Sequence, residues 1–344
     1  MTATVRRARP APAVRVVAAA IRREDGKILL SLRPTHAAHG GLWEFPGGKL
    51  EPGERPLRGL ARELDEELGI QIGAATPLIR VRHRYPENAV DLAVFEVCAW
   101  RGSAHGREGQ RIEWVAVDQL SDRRFPAANL PVVTALALPR VAMITADIAG
   151  GEAEFLARLE HCVAAGLALV QLRVRPTGSA LVRLARAAVD VCQRHGAKLL
   201  VNGVTDDVNA SGAHGLHLNS ARLLRCHTRP LAPTLLVSAS CHNLAELRHA
   251  ERIGVNFVYL SPVLATPSHP AAEGLGWAGL RRLAGQARLP VYALGGMQAA
   301  DVRTAVHAGC QGVAMLSAIW RSADPAQLLA RSRQAAAAAA RPSQ

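Results

Sequence analysis

Short apolar runs recur along the chain, and their spacing changes once, near residues 136–140. Before that point the runs are unevenly spaced, and the pattern predicts strands at 14–21, 27–32, 78–83, 90–100 and 111–117. The first two strands are expected to lie about a turn at Asp25-Gly26. Leu60, Leu64 and Leu68 instead stand four apart, which is typical of a helix that buries one face. Together these elements predict an α/β/α sandwich built on a mixed sheet.

Beyond residue 140, apolar strand-like runs alternate regularly with helical patterns. The predicted strands are at 141–145, 169–173, 198–202, 215–218, 235–238, 257–260, 291–294 and 313–316. Buried strands separated by helices indicate a parallel sheet, and eight such units close naturally into a (β/α)8 TIM barrel. We therefore predict a disordered lead-in at 1–13, a first domain at 14–136, a barrel at 139–330 and a tail at 331–344.

Composition narrows the class of protein. Hydrophobic residues make up 49% of the 344 residues, which is enough for two ordinary cores, and no stretch is long and apolar enough to span a bilayer. Six scattered cysteines favour reduced thiols in the cytoplasm over a disulfide framework or a zinc site. The net charge of +13 could indicate nucleic-acid binding. However, arginine spread along the chain supplies nearly all of it, which is more typical of codon usage than of a binding patch.

The stretch from Gly48 to Ile70 carries the clearest chemistry in the chain. Glu63, Glu66 and Glu67 stand at i, i+3 and i+4, so their carboxylates share one face of a helix. Clustered carboxylates repel one another and are stabilised by hard divalent cations, although a solvated acidic face is the alternative. The loop in front, Phe45-Pro46-Gly47-Gly48, favours a binding site because its glycines let the backbone approach a ligand closely.

This segment resembles the Nudix box, G-x5-E-x7-R-E-U-x-E-E-x-G-U with U aliphatic, and it matches every fixed position. The resemblance implies an α/β/α hydrolase, dependent on Mg²⁺ or on Mn²⁺ in its place, that cuts a nucleoside diphosphate linked to another group. The metal ligands are then Glu63, Glu66 and Glu67, helped by the backbone carbonyl of Gly47. Arg62 is expected to pair with Glu54 and orient the helix. Glu63 is our candidate for the general base, although spacing alone leaves that choice open.

Further positions narrow the small-molecule substrate. The segment 125–129, FPAAN, resembles a motif of bacterial 8-oxo-dGTP diphosphatases in which an asparagine pairs with the oxidised guanine. Asn129 would take that role, or be a turn residue. By the same resemblance Arg33 contacts the substrate, or makes an ion pair, and Glu108 is a further metal ligand, or a loop glutamate. Phe45 and Gly48 are also expected at the substrate. The implied products are 8-oxo-dGMP and pyrophosphate, and a Nudix enzyme of another specificity is the alternative.

From about residue 139 to 330 the chain resembles thiamine phosphate synthase. The matching segments lie at or just after the ends of predicted strands, where barrel active sites are built. The resemblance implies a thiazole phosphate or thiamine phosphate ligand bound by Gln171, Arg173, Arg175, Asn202, Ser240, Thr266, Ser268, Gly296, Leu316 and Ser317. Gly295-Gly296 and the turn at Ser317 could cradle phosphate with backbone N–H groups, or could simply close the barrel.

The departures from that family bear on activity. Its two magnesium-binding aspartates fall at Gly203 and Arg222 in this chain, and two of its lysines fall at Arg175 and His269. A diphosphate leaving group without its metal loses its main charge stabilisation, and arginine cannot arrange oxygen ligands as a metal does. The sequence therefore favours a barrel that binds or senses a phosphate ligand. A bifunctional enzyme that also makes thiamine phosphate is the alternative.

Overall fold

A computed structural model describes residues 13–35, 39–265 and 274–339. The chain divides into two compact units, one of residues 1–73 with 80–130 and one of residues 74–79 with 131–344. Within the described ranges, no helix combines the length and apolar character needed to cross a membrane. All but one residue of the predicted lead-in, the last residues of the tail, and the predicted site residues Thr266 and Ser268 lie outside the described residues.

The first part of the chain forms short strands around one long helix. The elements are β1 (Val14–Ile21), β2 (Ile28–Leu32), β3 (Trp43–Glu44), α1 (Pro56–Leu68), β4 (Gln71–Ile72), β5 (Ala75–Arg84), β6 (Ala89–Val97), β7 (Trp100–Arg101), β8 (Ile112–Val115) and α2 (Leu130–Ala137). In the described residues they make sheets of order β1-β6-β5, β3-β2-β8 and β4-β7. Because β1 runs parallel to β6 while β2 runs antiparallel to β8, the predicted mixed arrangement is confirmed.

The first two strands lie about the predicted turn, but they do not pair with each other along their length. The turn at Asp25-Gly26 forms, but β1 and β2 meet only at an isolated bridge between Arg22 and Ile28. β1 instead pairs with β6 over its whole length and lies in a different sheet from β2. Its last residues, from Val17 to Ile21, are all buried, which suits a strand covered on both faces rather than the arm of an exposed hairpin.

Helix α1 forms for the reasons that its sequence suggests. Pro56 occupies its first turn, where a missing N–H costs nothing, and Leu60, Leu64 and Leu68 are fully buried along one face. The helix ends at Gly69, whose φ of 70° lets its N–H return to the carbonyl of Asp65. The predicted helix is confirmed, and its other side carries the glutamates of the box.

The second part is a closed barrel. Its elements are β9 (Val141–Ile144), α3 (Glu152–Ala164), β10 (Leu169–Leu172), α4 (Gly178–Arg194), β11 (Lys198–Val201), α5 (Thr205–Ser211), β12 (Gly215–Leu218), α6 (Ser220–Arg225), β13 (Leu236–Cys241), α7 (Leu244–Ile253), β14 (Phe257–Leu260), α8 (Gly276–Ala284), β15 (Val291–Leu294), α9 (Asp301–His307), β16 (Gly312–Met315), α10 (Ser317–Trp320) and α11 (Pro325–Ala338). In the described residues eight parallel strands follow one another in chain order, and β16 pairs with β9. The predicted (β/α)8 barrel is confirmed.

Two apolar layers hold the barrel together. Alternate strand residues pack outward against the helices, while the others fill the interior with Leu169, Leu200, Phe257, Tyr259 and Tyr292 among them. The interior is not wholly apolar, because Gln171, His217 and Ser238 are buried there at inward positions of β10, β12 and β13. Buried polar groups in a barrel demand partners, so this layer is where a ligand site should be sought.

Candidate functional site

Glu67 is a half-buried carboxylate of α1 with other acids nearby. One of its oxygens accepts a hydrogen bond from the Gly47 N–H at 3.1 Å. Burial raises the pKa of Glu67 to about 8, and the nearby carboxylates of Glu44, Glu108 and Glu63 add to the rise. In the described part of the chain no cationic side chain pairs with Glu67. Glu67 therefore lies among other carboxylates without a cationic partner of its own in the described chain.

Arg62 organises the remaining carboxylates of the helix. It donates two hydrogen bonds to Glu54, at 3.2 and 3.0 Å, so the predicted pair is confirmed. The same guanidinium donates to Glu63 at 2.9 Å and to Glu66 at 3.4 Å. The bond from Arg62 holds the pKa of Glu54 below its usual range, which keeps that carboxylate ionised. Glu54 thus anchors the loop to the helix, and Glu66 is the most exposed of the set.

The two glycines of the loop leave space that no other residue would. A Cβ on Gly47, whose φ is 143°, would lie 2.2 Å from the carbonyl oxygen of Val17. A Cβ on Gly48 would lie 2.1 Å from the Glu63 carboxylate. The carbonyls of Pro46 and Gly48 accept hydrogen bonds from β1, whereas no described residue bonds the carbonyl of Gly47. That oxygen is therefore available as a ligand beside Glu67.

The oxygen atoms near Glu67 are of the kind that binds a hard divalent cation. Among the described residues no group of three acidic, histidine or cysteine side chains converges as a ready-made metal cage, because Arg62 draws Glu63 and Glu66 toward itself. The oxygen donors nevertheless fit such an ion, and its charge would relieve the uncompensated repulsion around Glu67.

Glu108 is brought to the helix by the loop that follows β7. The N–H of Arg107 and the side-chain amide of Gln110 both donate to the carbonyl of Glu67, at 2.9 and 3.0 Å. The N–H of Glu108 donates to the Gln110 side chain at 2.9 Å. Its exposed carboxylate is near enough to raise the pKa of Glu67. The loop therefore brings Glu108 near Glu67, and its role as a further metal ligand stays a prediction.

Glu44 is a site residue that the sequence interpretation missed. It follows Trp43 in β3 and forms an ion pair with Arg33, so Arg33 does take the ion-pair alternative, although neither side chain is fully exposed. Burial raises the pKa of Glu44, and its charge in turn raises that of Glu67. The sequence did contain an indication of this role, because Glu44 is a single acid placed between two aromatic residues, Trp43 and Phe45.

The expected substrate contacts lie in a separate cluster of aromatic and amide groups. Phe45 is only 3% exposed and stacks on Phe125, with ring centroids 5.6 Å apart and planes 11° apart. Phe125, rather than Phe45, is therefore the partly exposed member of the stack. Asn129 ends a short 3-10 turn, and the N–H of its neighbour Ala128 donates to the Tyr85 hydroxyl at 3.2 Å. Among the described residues the Asn129 side-chain amide has no hydrogen-bond partner.

In the barrel, those predicted residues that the structure describes lie at or just after the C-terminal ends of the strands. Gln171 is buried in β10, and its Oε1 has no hydrogen-bond partner in the described chain. Asn202 follows β11 and accepts a hydrogen bond from Arg222 at 3.0 Å, and Ser240 lies near the end of β13. The last predicted residues lie in loops or at a helix start after β15 and β16, namely Gly296, Leu316 and Ser317.

The arginines after β10 differ in their surroundings. Arg175 forms an ion pair with Asp147 at 2.6 Å, and its side chain is otherwise 92% exposed. Arg173 is exposed, and its guanidinium has no partner among the described residues. Of these two arginines, Arg173 is therefore the one whose guanidinium has no acidic partner in the described chain.

His217 is a second residue that the sequence interpretation left out of the site. Its Nδ1 lies 2.9 Å from the Ser238 hydroxyl and its Nε2 lies 3.0 Å from that of Ser240. Burial lowers the pKa of His217 to about 3, and Arg222 and Arg173 lower it further. The ring is therefore neutral, and its position between leucines in β12, at an inward register, was the available signal.

Comparison with known proteins matches each half separately. The family model described as "NUDIX domain" matches residues 17–135, and "Thiamine monophosphate synthase" matches residues 141–319. The 8-oxo-dGTP diphosphatase of Escherichia coli is 36% identical over 34% of this chain and 90% of that protein. The CTP pyrophosphohydrolase of Escherichia coli is 35% identical over 38% of this chain and 95% of that protein. The thiamine-phosphate synthase of Gloeobacter violaceus is 32% identical over 57% of each chain.

The chain belongs to both families. Its first part is a Nudix hydrolase domain, as the box at Gly48–Ile70 indicated, and its second part is a thiamine-phosphate-synthase-like barrel. The barrel, however, lacks a carboxylate at either position where the sequence comparison expects a metal ligand. A Cβ on Gly203 would lie 2.4 Å from the Asp207 carboxylate, which accepts the N–H of Val204 and so caps α5. Arg222 stands at the other position. The residues of this barrel therefore do not fit the family's magnesium ion.

Proposed function

We propose that the Nudix domain hydrolyses 8-oxo-dGTP to 8-oxo-dGMP and pyrophosphate with Mg²⁺, or with Mn²⁺ in its place. The observation that carries this proposal is that Glu67 lies among other carboxylates with no cationic partner of its own in the described chain, beside the unbonded carbonyl of Gly47. A structural acidic patch would be expected to carry its own cationic partners, as Glu54 does with Arg62. A site that must receive a cation is expected to leave the charge unpaired.

The chain's own residues divide the work of hydrolysis. Glu63, Glu66, Glu67, Glu108 and the Gly47 carbonyl would hold the metal, which supplies charge neutralisation on the phosphates and an acidified water when bound. Glu63 is our candidate to accept the proton of the attacking water. Because Gly48 has no side chain, it leaves the space that the Glu63 carboxylate occupies. Arg62 fixes the helix against the loop through Glu54.

Selection of the base is proposed to fall to Asn129 and the Phe45–Phe125 stack. A primary amide offers both a donor and an acceptor, which suits the altered edge of an oxidised purine. The amide of Asn129 is not engaged by any other described residue, and Phe125, in the same segment, is the partly exposed member of the stack. Arg33 is held by Glu44 and would contact the substrate only from that ion pair.

A substrate comparison tests the proposal directly. Hydrolysis by the full chain with Mg²⁺ would be measured as pyrophosphate released from 8-oxo-dGTP, dGTP and CTP, and as AMP released from ADP-ribose. We expect the highest kcat/KM with 8-oxo-dGTP. Equal rates on 8-oxo-dGTP and dGTP would remove the proposed specificity while leaving a Nudix hydrolase. A preference for CTP would instead favour the activity named for the other relative of similar identity.

The barrel supports a second candidate function, the binding of a phosphate ester such as thiazole phosphate or thiamine phosphate without synthase activity. The observation that favours it is the missing carboxylate pair at Gly203 and Arg222. The test supplies the full chain with the pyrimidine diphosphate, thiazole phosphate and Mg²⁺. We expect no thiamine phosphate. Its formation at a catalytic rate would establish the bifunctional alternative.

A further inference from the structure

The mouth of the barrel carries positive charge that the described residues leave uncompensated. Arg173 follows β10, and Arg222 reaches Asn202 at the end of β11 from the first turn of α6. Among the described residues Arg173 has no side-chain partner, and the one side chain bonded by the Arg222 guanidinium is the neutral amide of Asn202. Arg175, by contrast, is neutralised by Asp147. Two guanidinium groups thus remain free to attract an anion at this end of the barrel.

The two arginines meet at neighbouring strand ends, because Leu172, which precedes Arg173, pairs with Val201, and the next residue, Asn202, is the one that Arg222 contacts. Both are close enough to His217 to lower its pKa, and His217 is neutral because burial is the larger cause. The imidazole is held between Ser238 and Ser240, so it adds no charge of its own. The electrostatic character of the mouth is therefore set by the arginines.

Beneath the mouth, two buried polar atoms have no partner in the described chain. They are the Oε1 of Gln171, a residue 3% exposed, and the hydroxyl of Tyr259, a residue 1% exposed. The first is an acceptor and the second can donate or accept. Buried polar groups are rarely left unsatisfied, so this pair is independent support for a ligand inside the mouth.

We propose that Arg173 and Arg222 bind the phosphate group of a phosphate ester at the barrel mouth without any divalent cation. This inference rests on the ligand-binding function proposed above for the barrel. Arginine at position 222 replaces an expected acid with a cation, so the charge that a metal would bring is already part of the chain. A guanidinium also matches the geometry of phosphate with two parallel hydrogen bonds.

The local structure around Gly203 argues against the alternative that a metal ion bound there holds the phosphate. A Cβ there would meet both the Asp207 carboxylate and the Val201 side chain, at 2.4 and 3.1 Å. Asp207 is itself committed to the N-terminus of α5, where its carboxylate accepts the N–H of Val204 at 2.8 Å. The nearest carboxylate therefore serves the helix and not a metal ion.

Calorimetric titration of the full chain with thiazole phosphate, in EDTA and then in Mg²⁺, tests the proposal. We expect the same Kd in both buffers, within about twofold. Arg222→Gln and Arg173→Gln should each weaken binding at least about tenfold, because each removes a charge-assisted hydrogen bond. Arg225→Gln is the matched control, since Arg225 lies on the same helix and its Nε donates to the backbone carbonyl of Ala221. It should leave the Kd unchanged.

Each remaining outcome bears on the proposal. Binding that requires Mg²⁺ would overturn it while leaving ligand binding by the barrel intact. No binding in either buffer would contradict both this proposal and the ligand-binding function proposed for the barrel. Equal Kd values for the Arg222→Gln and Arg225→Gln proteins would show that the arginine is not a phosphate contact. Arg222→Lys keeps the charge but loses the fork, so intermediate affinity supports the assignment, and the calorimetric unfolding profile of each variant checks that it folds.

Discussion

Replacing Glu67 with glutamine should stabilise the metal-free protein at alkaline pH. A rise of the Glu67 pKa from 4.5 to about 8 means that the folded state resists ionisation of this carboxyl. At about 1.4 kcal/mol per unit, the fully ionised carboxylate would cost at most about 5 kcal/mol. Because the residue retains some solvent contact, we halve this cost to about 2.5 kcal/mol. Glutamine removes the charge and keeps an oxygen that can accept the Gly47 N–H.

The sign of the effect depends on pH. A carboxyl whose pKa is raised on folding stabilises the fold fully below the unfolded pKa, and that contribution is lost as pH rises through the folded pKa. We therefore expect equal stability of the wild-type and Glu67→Gln proteins near pH 4.5, and the largest advantage of the variant above about pH 8. Calorimetric unfolding of both full chains in EDTA, from pH 5 to 9, measures the difference.

Two controls make this result specific. Glu66→Gln alters a carboxylate whose side chain is 60% exposed, so its unfolding should follow the wild type at every pH. Adding Mg²⁺ should stabilise the wild type more than the Glu67→Gln protein, because a ligand stabilises the state that binds it. A variant that is no more stable than the wild type at pH 9 in EDTA would refute the picture of an uncompensated charge.

Three further predictions concern hydrolysis. Glu63→Gln should lower kcat at least about a hundredfold with an unchanged calorimetric profile, and retained turnover would exclude Glu63 as the general base. Gly48→Ala should also lower kcat, since its Cβ would lie 2.1 Å from the Glu63 carboxylate, whereas unchanged kinetics would show that the carboxylate can move aside. Asn129→Ala should reduce the ratio of kcat/KM for 8-oxo-dGTP over dGTP about tenfold while dGTP hydrolysis persists, and an unchanged ratio would assign base reading elsewhere.

The sequence predicted elements better than it predicted their neighbours. Periodicity located β1 and all eight barrel strands within a few residues, because burial of one or both faces leaves a direct trace in the order of residues. Pairing leaves no such trace. The β1 strand joins β6, far along the chain, although β2 is closer in sequence and follows a well-formed turn. Only the three-dimensional arrangement decides between two strands of similar character.

The site was predictable where its residues share one element, and less so where they come from several. Spacing alone placed Glu63, Glu66 and Glu67 on α1. The effect of Glu44 on the pKa of Glu67 depends on the packing of β3 near that helix. The stacking of Phe125 on Phe45 likewise joins residues that are far apart in the sequence. Contacts of this kind follow from tertiary packing, which the pattern of single residues does not encode.

The two candidate sites obey one electrostatic rule with opposite signs. In the Nudix domain carboxylates gather around Glu67 with no cation bonded to it in the described chain, so the site is suited to a metal ion. At the barrel mouth Arg173 and Arg222 have no acid bonded to them in the described chain, so the site is suited to an anion. Unpaired charge is unfavourable in the free protein and becomes favourable on binding, which is why it marks a ligand site. The rule also separates the two functions, because chelating Mg²⁺ should stop hydrolysis and leave phosphate binding by the barrel unchanged.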